Sequence, residues 1–170
     1  LIDERLHNIS ELKQREADLE KLSRRLGVAL ETSKVGVWEI TLGIDEEFWD
    51  NRMNELYGYP QNNGVRHASH WERRVHPEDL DRANREFYAA VDRSGTYTSQ
   101  YRLVMDDGSI KHIRAIGTVY KDDDSPARIV GVNWDVTADV LLNEELKQAN
   151  ALTEARNAEL EQTKARIEHN

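Results

Sequence analysis

The chain contains no cysteine. Disulfides, thiolate metal sites, cysteine nucleophiles and photochemistry through a cysteinyl adduct are therefore excluded. Proline occurs three times and glycine nine times in 170 residues, and outside residues 31–137 Gly27 is the sole member of either type. Apolar runs extend over only a few residues, so no segment is suited to span a bilayer, and no secretory signal pattern is present. Positive charge is in the minority. The 23 basic and 32 acidic side chains give a formal charge of -9 and an isoelectric point near 5.2. A nucleic-acid binder needs a basic stripe to displace counterions from phosphates, so that partner class is set aside. What is left is one domain of ordinary size with extensions, too short for two catalytic domains. Leu1 stands where a start methionine would, which points to a segment of a longer protein. The expectation is a cytoplasmic segment without membrane contact of its own.

All twelve aromatic residues lie between Trp38 and Trp134. Large aromatics supply much of a core's burial, so the chain divides into an N-terminal helix (1–30), a globular domain (31–137) and a C-terminal helix (138–170). In the first flank Ile2, Ile9, Leu12, Leu19, Leu26 and Leu30 occupy alternating a and d positions, with breaks at Glu16 and Ser23. In the second, Leu146, Leu160 and Ile167 hold one heptad position and Leu142 and Ala149 the other, interrupted by Thr153, Arg156 and Thr163. Neither helix can bury its stripe alone. Two arrangements are open: helices folded back on their own domain, or a parallel coiled-coil homodimer that enters and leaves it. The second is the preferred expectation.

In the centre, Val35–Leu42 alternates as a strand and a short strand is expected around Phe48–Trp49. Residues 51–57 read as helical turns with Met53, Leu56 and Tyr57 inward, and residues 61–69 as a loop. Ser69 is expected to cap a short helix through Val75. His76-Pro77-Glu78-Asp79 opens a longer helix, with Leu80, Ala83, Phe87, Ala90 and Val91 as its buried stripe. After Ser94-Gly95 come strands over 96–105 and 109–121, joined by Asp106-Asp107-Gly108, and a last strand over 128–137. This is α+β with an antiparallel sheet.

The order of elements resembles a PAS domain, the small sensor module of bacterial signalling proteins. So do Val35-Gly36-Val37-Trp38-Glu39, Tyr57-Gly58-Tyr59-Pro60, Val75-His76-Pro77-Glu78-Asp79, Tyr101-Arg102-Leu103 with Asp107-Gly108-Ser109, and Val130-Gly131-Val132 before Asp135-Val136-Thr137. The resemblance covers about residues 33–138. It implies a five-stranded antiparallel sheet with short helices on one face and a ligand cavity against the sheet, flanked by long signalling helices. Matching the hairpin glycine to light-sensing relatives places Leu103, Ile113 and Asn133 where those proteins touch flavin. Leu103 and Ile113 replace two amides that would bond the flavin ring, and the photoactive cysteine is missing, which argues against flavin. Haem-binding relatives use a histidine on the long helix, and residues 78–93 contain none.

By strand alternation Ser99, Tyr101, Ala115, Gly117, Ile129 and Gly131 share the inner face with these residues. Two readings stay open: a small organic ligand fills the cavity, or its own side chains do and the domain is a ligand-free relay. Asn133 is either a satisfied structural amide or a ligand contact. Trp134 and His112 point to the sheet's other side, where the N-terminal helix or a partner subunit would cover the Trp. Thr137 reads as the N-cap of the exit helix and Asp135 as a turn or salt-bridge residue, and Trp134, Asp135 and Thr137 form the expected signal relay. His67, His70 and His76 with Asp79 are the one metal-like cluster, and their loose spacing reads as surface histidines. No carboxylate pair or phosphate-binding loop marks a catalytic site, so the segment reads as a regulatory module. The ending Lys164–Asn170 resembles the stalk leading into diguanylate cyclase domains, and histidine kinases use similar stalks. A protein-interaction scaffold built on the face around Trp134 is the rival reading.

Overall fold

The computed structural model describes residues 1–93 and 95–170. Ser94, expected with Gly95 to form the turn into the sheet, lies outside the described residues. The chain opens with a long helix α1 (Ile2–Ser33), followed by strands β1 (Gly36–Thr41) and β2 (Glu46–Trp49). Three helices come next: α2 (Asn51–Tyr57), α3 (Ala68–Arg74) and α4 (Pro77–Arg93), with a short strand β3 (Val65–His67) between the first two. Strands β4 (Thr96–Val104), β5 (Ile110–Tyr120) and β6 (Arg128–Asp135) form a meander, and helix α5 (Thr137–Glu168) leaves it.

The six strands make one sheet in the order β3-β2-β1-β6-β5-β4, with every neighbouring pair antiparallel. The expected sheet had five strands. The sixth, β3, falls inside the stretch expected to be a loop, and it exists because Val65, Arg66 and His67 pair with Phe48, Glu47 and Glu46 along the free edge of β2. The Asp106–Gly108 turn closes the β4–β5 hairpin as expected, with Gly108 at φ 83, where a side chain would be strained.

Burial alternates along β4 and through the centres of β5 and β6, as one packed face requires. Met53, Leu56 and Tyr57 of α2 are buried as expected. On α4, Ala83, Ala90 and Val91 are buried, while Leu80 and Phe87 pack against the core at its margin. The start of α4 is tied to the sheet. Asp79 accepts from the Arg102 backbone N–H at 2.8 Å and from its guanidinium at 2.9 and 3.0 Å. Those side-chain bonds hold the Asp79 carboxyl down at about 2. Ser69 does not cap α3: the N-cap position is His67, two residues earlier, and it carries no side-chain cap.

Neither α1 nor α5 contains a buried residue. Folding of the flanks back onto their own domain is thus not what the chain does. Leu12, Leu19, Leu26, Leu142, Leu146 and Leu160 are all more than half exposed.

Candidate functional site

A cavity of about 440 Å³ lies between the inner face of the sheet and the α3–α4 side of the domain. Its walls are aromatic: Trp38 from β1, Trp49 from β2, Trp71 from α3, Phe87 from α4, and Tyr97 and Tyr101 from β4. Tyr88 and the exposed loop residues Gly43, Ile44 and Asp45 border it toward solvent. The Trp38 indole crosses the sheet over Gly117 and Gly131. A Cβ at 117 would stand 2.9 Å from that ring, and one at 131 would overlap it. The two glycines therefore make room for the indole that forms one wall.

Beneath the aromatic rings lies a buried polar network. Trp38 Nε1 donates to Asn133 Oδ1 at 2.8 Å. Asn133 Nδ2 donates to the hydroxyls of Tyr57 at 2.8 Å and Tyr101 at 3.1 Å, which are themselves 2.8 Å apart. Trp71 Nε1 donates to Tyr101 at 3.1 Å. Burial pushes both phenols upward, so they stay protonated.

Only one ionisable side chain of the wall is strongly displaced from its ordinary value while still titrating near neutrality. Glu47, on β2, is half-buried, and burial raises its carboxyl from 4.5 to about 7. The Trp49 indole N–H, donating to Glu47 at 3.0 Å, opposes that rise, while Asp45 and Glu72 add to it.

Of the residues expected to line a pocket, Tyr101 and Asn133 do so. Ser99, Leu103, Ile113 and Ala115 are buried but outside the lining. Leu103 and Ile113 belong to the packed core, and Leu103 forms an isolated bridge with Val75 at the α3–α4 junction. The Ser99 hydroxyl meets no hydrogen-bond partner among the described residues. The cavity lies against β1, β2 and the Tyr97 and Tyr101 side chains of β4, with Trp38 crossing Gly117 and Gly131 as one wall. Glu47, Trp38, Trp49 and Trp71 were not anticipated as site residues. Glu47 sits two residues from Trp49 and so on the same face of β2, but the acidic stretch around it reads as a solvated edge.

The relay residues stand on the opposite side. Trp134 is half-buried, with the Arg114 guanidinium 6.0 Å from its ring. It borders a second hollow with Leu56, Lys111, Asp135 and the Ser33–Lys34 end of α1. Thr137 is not an N-cap. Val136 occupies that position without a side-chain bond, and Thr137 is the first helical residue. Its hydroxyl oxygen accepts from the His112 backbone N–H at 2.9 Å, and its own N–H donates to Asp135 Oδ1 at 2.8 Å. The Val136 N–H donates to the His112 carbonyl at 2.8 Å. Among the described residues no histidine and carboxylate group is arranged to hold a metal ion.

The family described as PAS fold matches residues 46–133. Over 144 residues the chain is 32% identical to the probable diguanylate cyclase DgcE of Escherichia coli (strain K12), a match that takes in 84% of this chain and 13% of that protein. Among solved structures, a sensory box histidine kinase/response regulator from Burkholderia thailandensis E264 superposes with a TM-score of 0.65 at 20% identity, covering 76% of this chain and 98% of the other. The N-terminal domain of a diguanylate cyclase with PAS/PAC sensor from Marinobacter aquaeolei gives 0.55 at 21% identity, over 62% of this chain and 97% of that one. With the family matched across more than half of its length and the fold shared with these sensor domains, the chain belongs to the PAS family.

Proposed function

We infer that this chain is the sensory and dimerisation module of a signal-transduction protein, and that it passes a change in the sheet through α5 to an output domain of the diguanylate cyclase type. The carrying observation is the root of α5. Thr137 and Val136 bond the first turn of the helix to the backbone of His112 on β5, the strand that runs beside the cavity-lining β4 and β6, and Asp135 accepts from the Thr137 N–H. Beyond that root the helix continues to Glu168 with its leucines in solvent. A displacement of β5 would therefore move the helix axis rather than dissipate in a loop. The exposed stripes of α1 and α5 fit a parallel homodimer, which would bring two output domains together. Likeness to the Escherichia coli probable diguanylate cyclase supports the choice of output. That protein extends far beyond the matched region, so cyclase chemistry would reside outside this chain.

The test is a fusion of the chain at Asn170 to a diguanylate cyclase domain, with residues inserted late in α5. An insertion of about four residues rotates the output domain by a fraction of a turn, whereas about seven restore the heptad phase. Cyclase activity should change about tenfold with the first insertion and return with the second. Activity indifferent to the phase of the insertion would refute coupling through the helix.

A further inference from the structure

The charges around the aromatic cavity are all of one sign. Asp45, Glu47 and Glu72 are among its lining residues, and no Lys, Arg or His is. Arg66, directly across from Glu47 in the β2–β3 ladder, turns its guanidinium to Asn54, the Pro60 carbonyl and the Tyr59 ring instead. His67 lies 3.4 Å from Asp45 at the outer edge. Glu47 thus faces the cavity with an indole N–H as its hydrogen-bond partner and no cation at hand. A half-buried carboxylate so placed is costly until something positive reaches it.

Aromatic faces supply the complementary feature. Three tryptophans and three tyrosines line the same space, and the negative face of an aromatic ring attracts a desolvated cation. The polar network below closes on itself. Trp38, Trp71, Asn133, Tyr57 and Tyr101 contribute six N–H and O–H hydrogens to five hydrogen bonds, so one phenolic hydrogen has no acceptor among the described residues. The Tyr101 oxygen already accepts from Asn133 and Trp71, so Tyr101 donates to Tyr57, and the spare hydrogen sits on the Tyr57 hydroxyl outside the lining. The volume lies at the lower end of the range for small-molecule sites, roughly 300–1,000 Å³.

We propose that the cavity takes a small organic cation, a quaternary or alkyl-substituted ammonium group seated against the tryptophans, with Glu47 as its counter-ion. The inference rests on the reading of the chain as a sensory module, and it names the chemical class of that module's signal. Oxygen-rich anions and phosphates are disfavoured by the three carboxylates.

The experiment titrates the 170-residue chain with choline chloride and, separately, with 3,3-dimethyl-1-butanol, which has the same shape and hydroxyl but no charge. The fluorescence of the cavity tryptophans and calorimetry report binding. Choline should bind at least about tenfold more tightly than the neutral alcohol, and Glu47→Gln should remove most of that preference while its far-ultraviolet circular dichroism stays unchanged. Because Glu47 must be ionised to hold the cation, choline affinity in the wild type should rise from about pH 6 to about pH 8. In Glu47→Gln it should vary much less, since Asp45, Glu72 and His67 are common to both proteins. Glu72→Gln serves as the second variant if the first fails to fold. Equal affinity for the alcohol, equal choline affinity in a folded variant, or no choline binding in the millimolar range would each overturn the proposal. Binding is read without an output domain, so such a failure leaves the helix-phase result standing, and loss of phase dependence leaves the binding result standing.

Discussion

At the scale of single residues, Asn133 joins the two walls of the cavity. Its carbonyl receives the Trp38 indole from β1, and its amide reaches Tyr57 on α2 and Tyr101 on β4, so one buried side chain links three elements. Leucine has the same branched shape and none of those groups. Asn133→Leu would leave the indole N–H buried without an acceptor and remove the donors to two phenols. The expected cost is about 2 kcal/mol or more, read as a lower urea midpoint at unchanged slope. Alternation along β6 already placed Asn133 on the inner face, but its partners are 95, 76 and 32 residues away in the chain. No local pattern could show whether the amide would be satisfied by protein or left for a ligand. Glu47 illustrates the converse. Its neighbours in sequence are Glu46, Asp45 and Phe48, a stretch that reads as a solvated acidic edge until Trp49, Trp71 and the rest of the cavity wall assemble over it.

Among the elements, the root of α5 shows how a cap-like sequence can serve a different bond. Asp135-Val136-Thr137 has the composition of a helix start, and a helix does start there. Thr137, however, directs its hydroxyl back to β5 instead of forward into its own first turn. Thr137→Ala should strand the His112 N–H and lower stability by about 1 kcal/mol, whereas Thr137→Ser should retain most of it. Urea titration of both variants checks this. In the cyclase fusion, Thr137→Ala is expected to reduce the response of the output as well. Strand β3 teaches the same lesson in a different form. Three residues after Gln61-Asn62-Asn63-Gly64 are too few to display a period, and they become a strand because β2 offers an unpaired edge. The longer strands and α4 were legible because each carries enough residues for its periodicity to register.

At the scale of the whole molecule, two long helices with leucine stripes in solvent are an incomplete structure. Leu146 and Leu160 are 53% and 67% exposed, and burial of such side chains contributes about 1.5–3 kcal/mol each. On the inference that these stripes pair between two copies, the chain should sediment as a dimer at micromolar concentration. Replacing Leu146 and Leu160 together with asparagine should shift it to monomer, with the circular dichroism of the sheet retained. A wild type that remains monomeric throughout would remove the dimer from the reading. No helix among the described residues is long and apolar enough to cross a membrane.

The sequence alone determined the types of the longer elements, the α+β class, the hairpin, the inner face of the sheet and the two heptad-patterned flanks. All of these are set by spacing within a few turns or a few residues of chain. Only the tertiary structure decided which part of that inner face stays open. Trp38 crosses Gly117 and Gly131 as one wall, and the cavity lies beside it against Glu47 and the other tryptophans. That outcome depends on the volumes of side chains brought together from β1, β2, α3 and β4, and the packing of distant segments against one another leaves no mark on any single stretch of sequence.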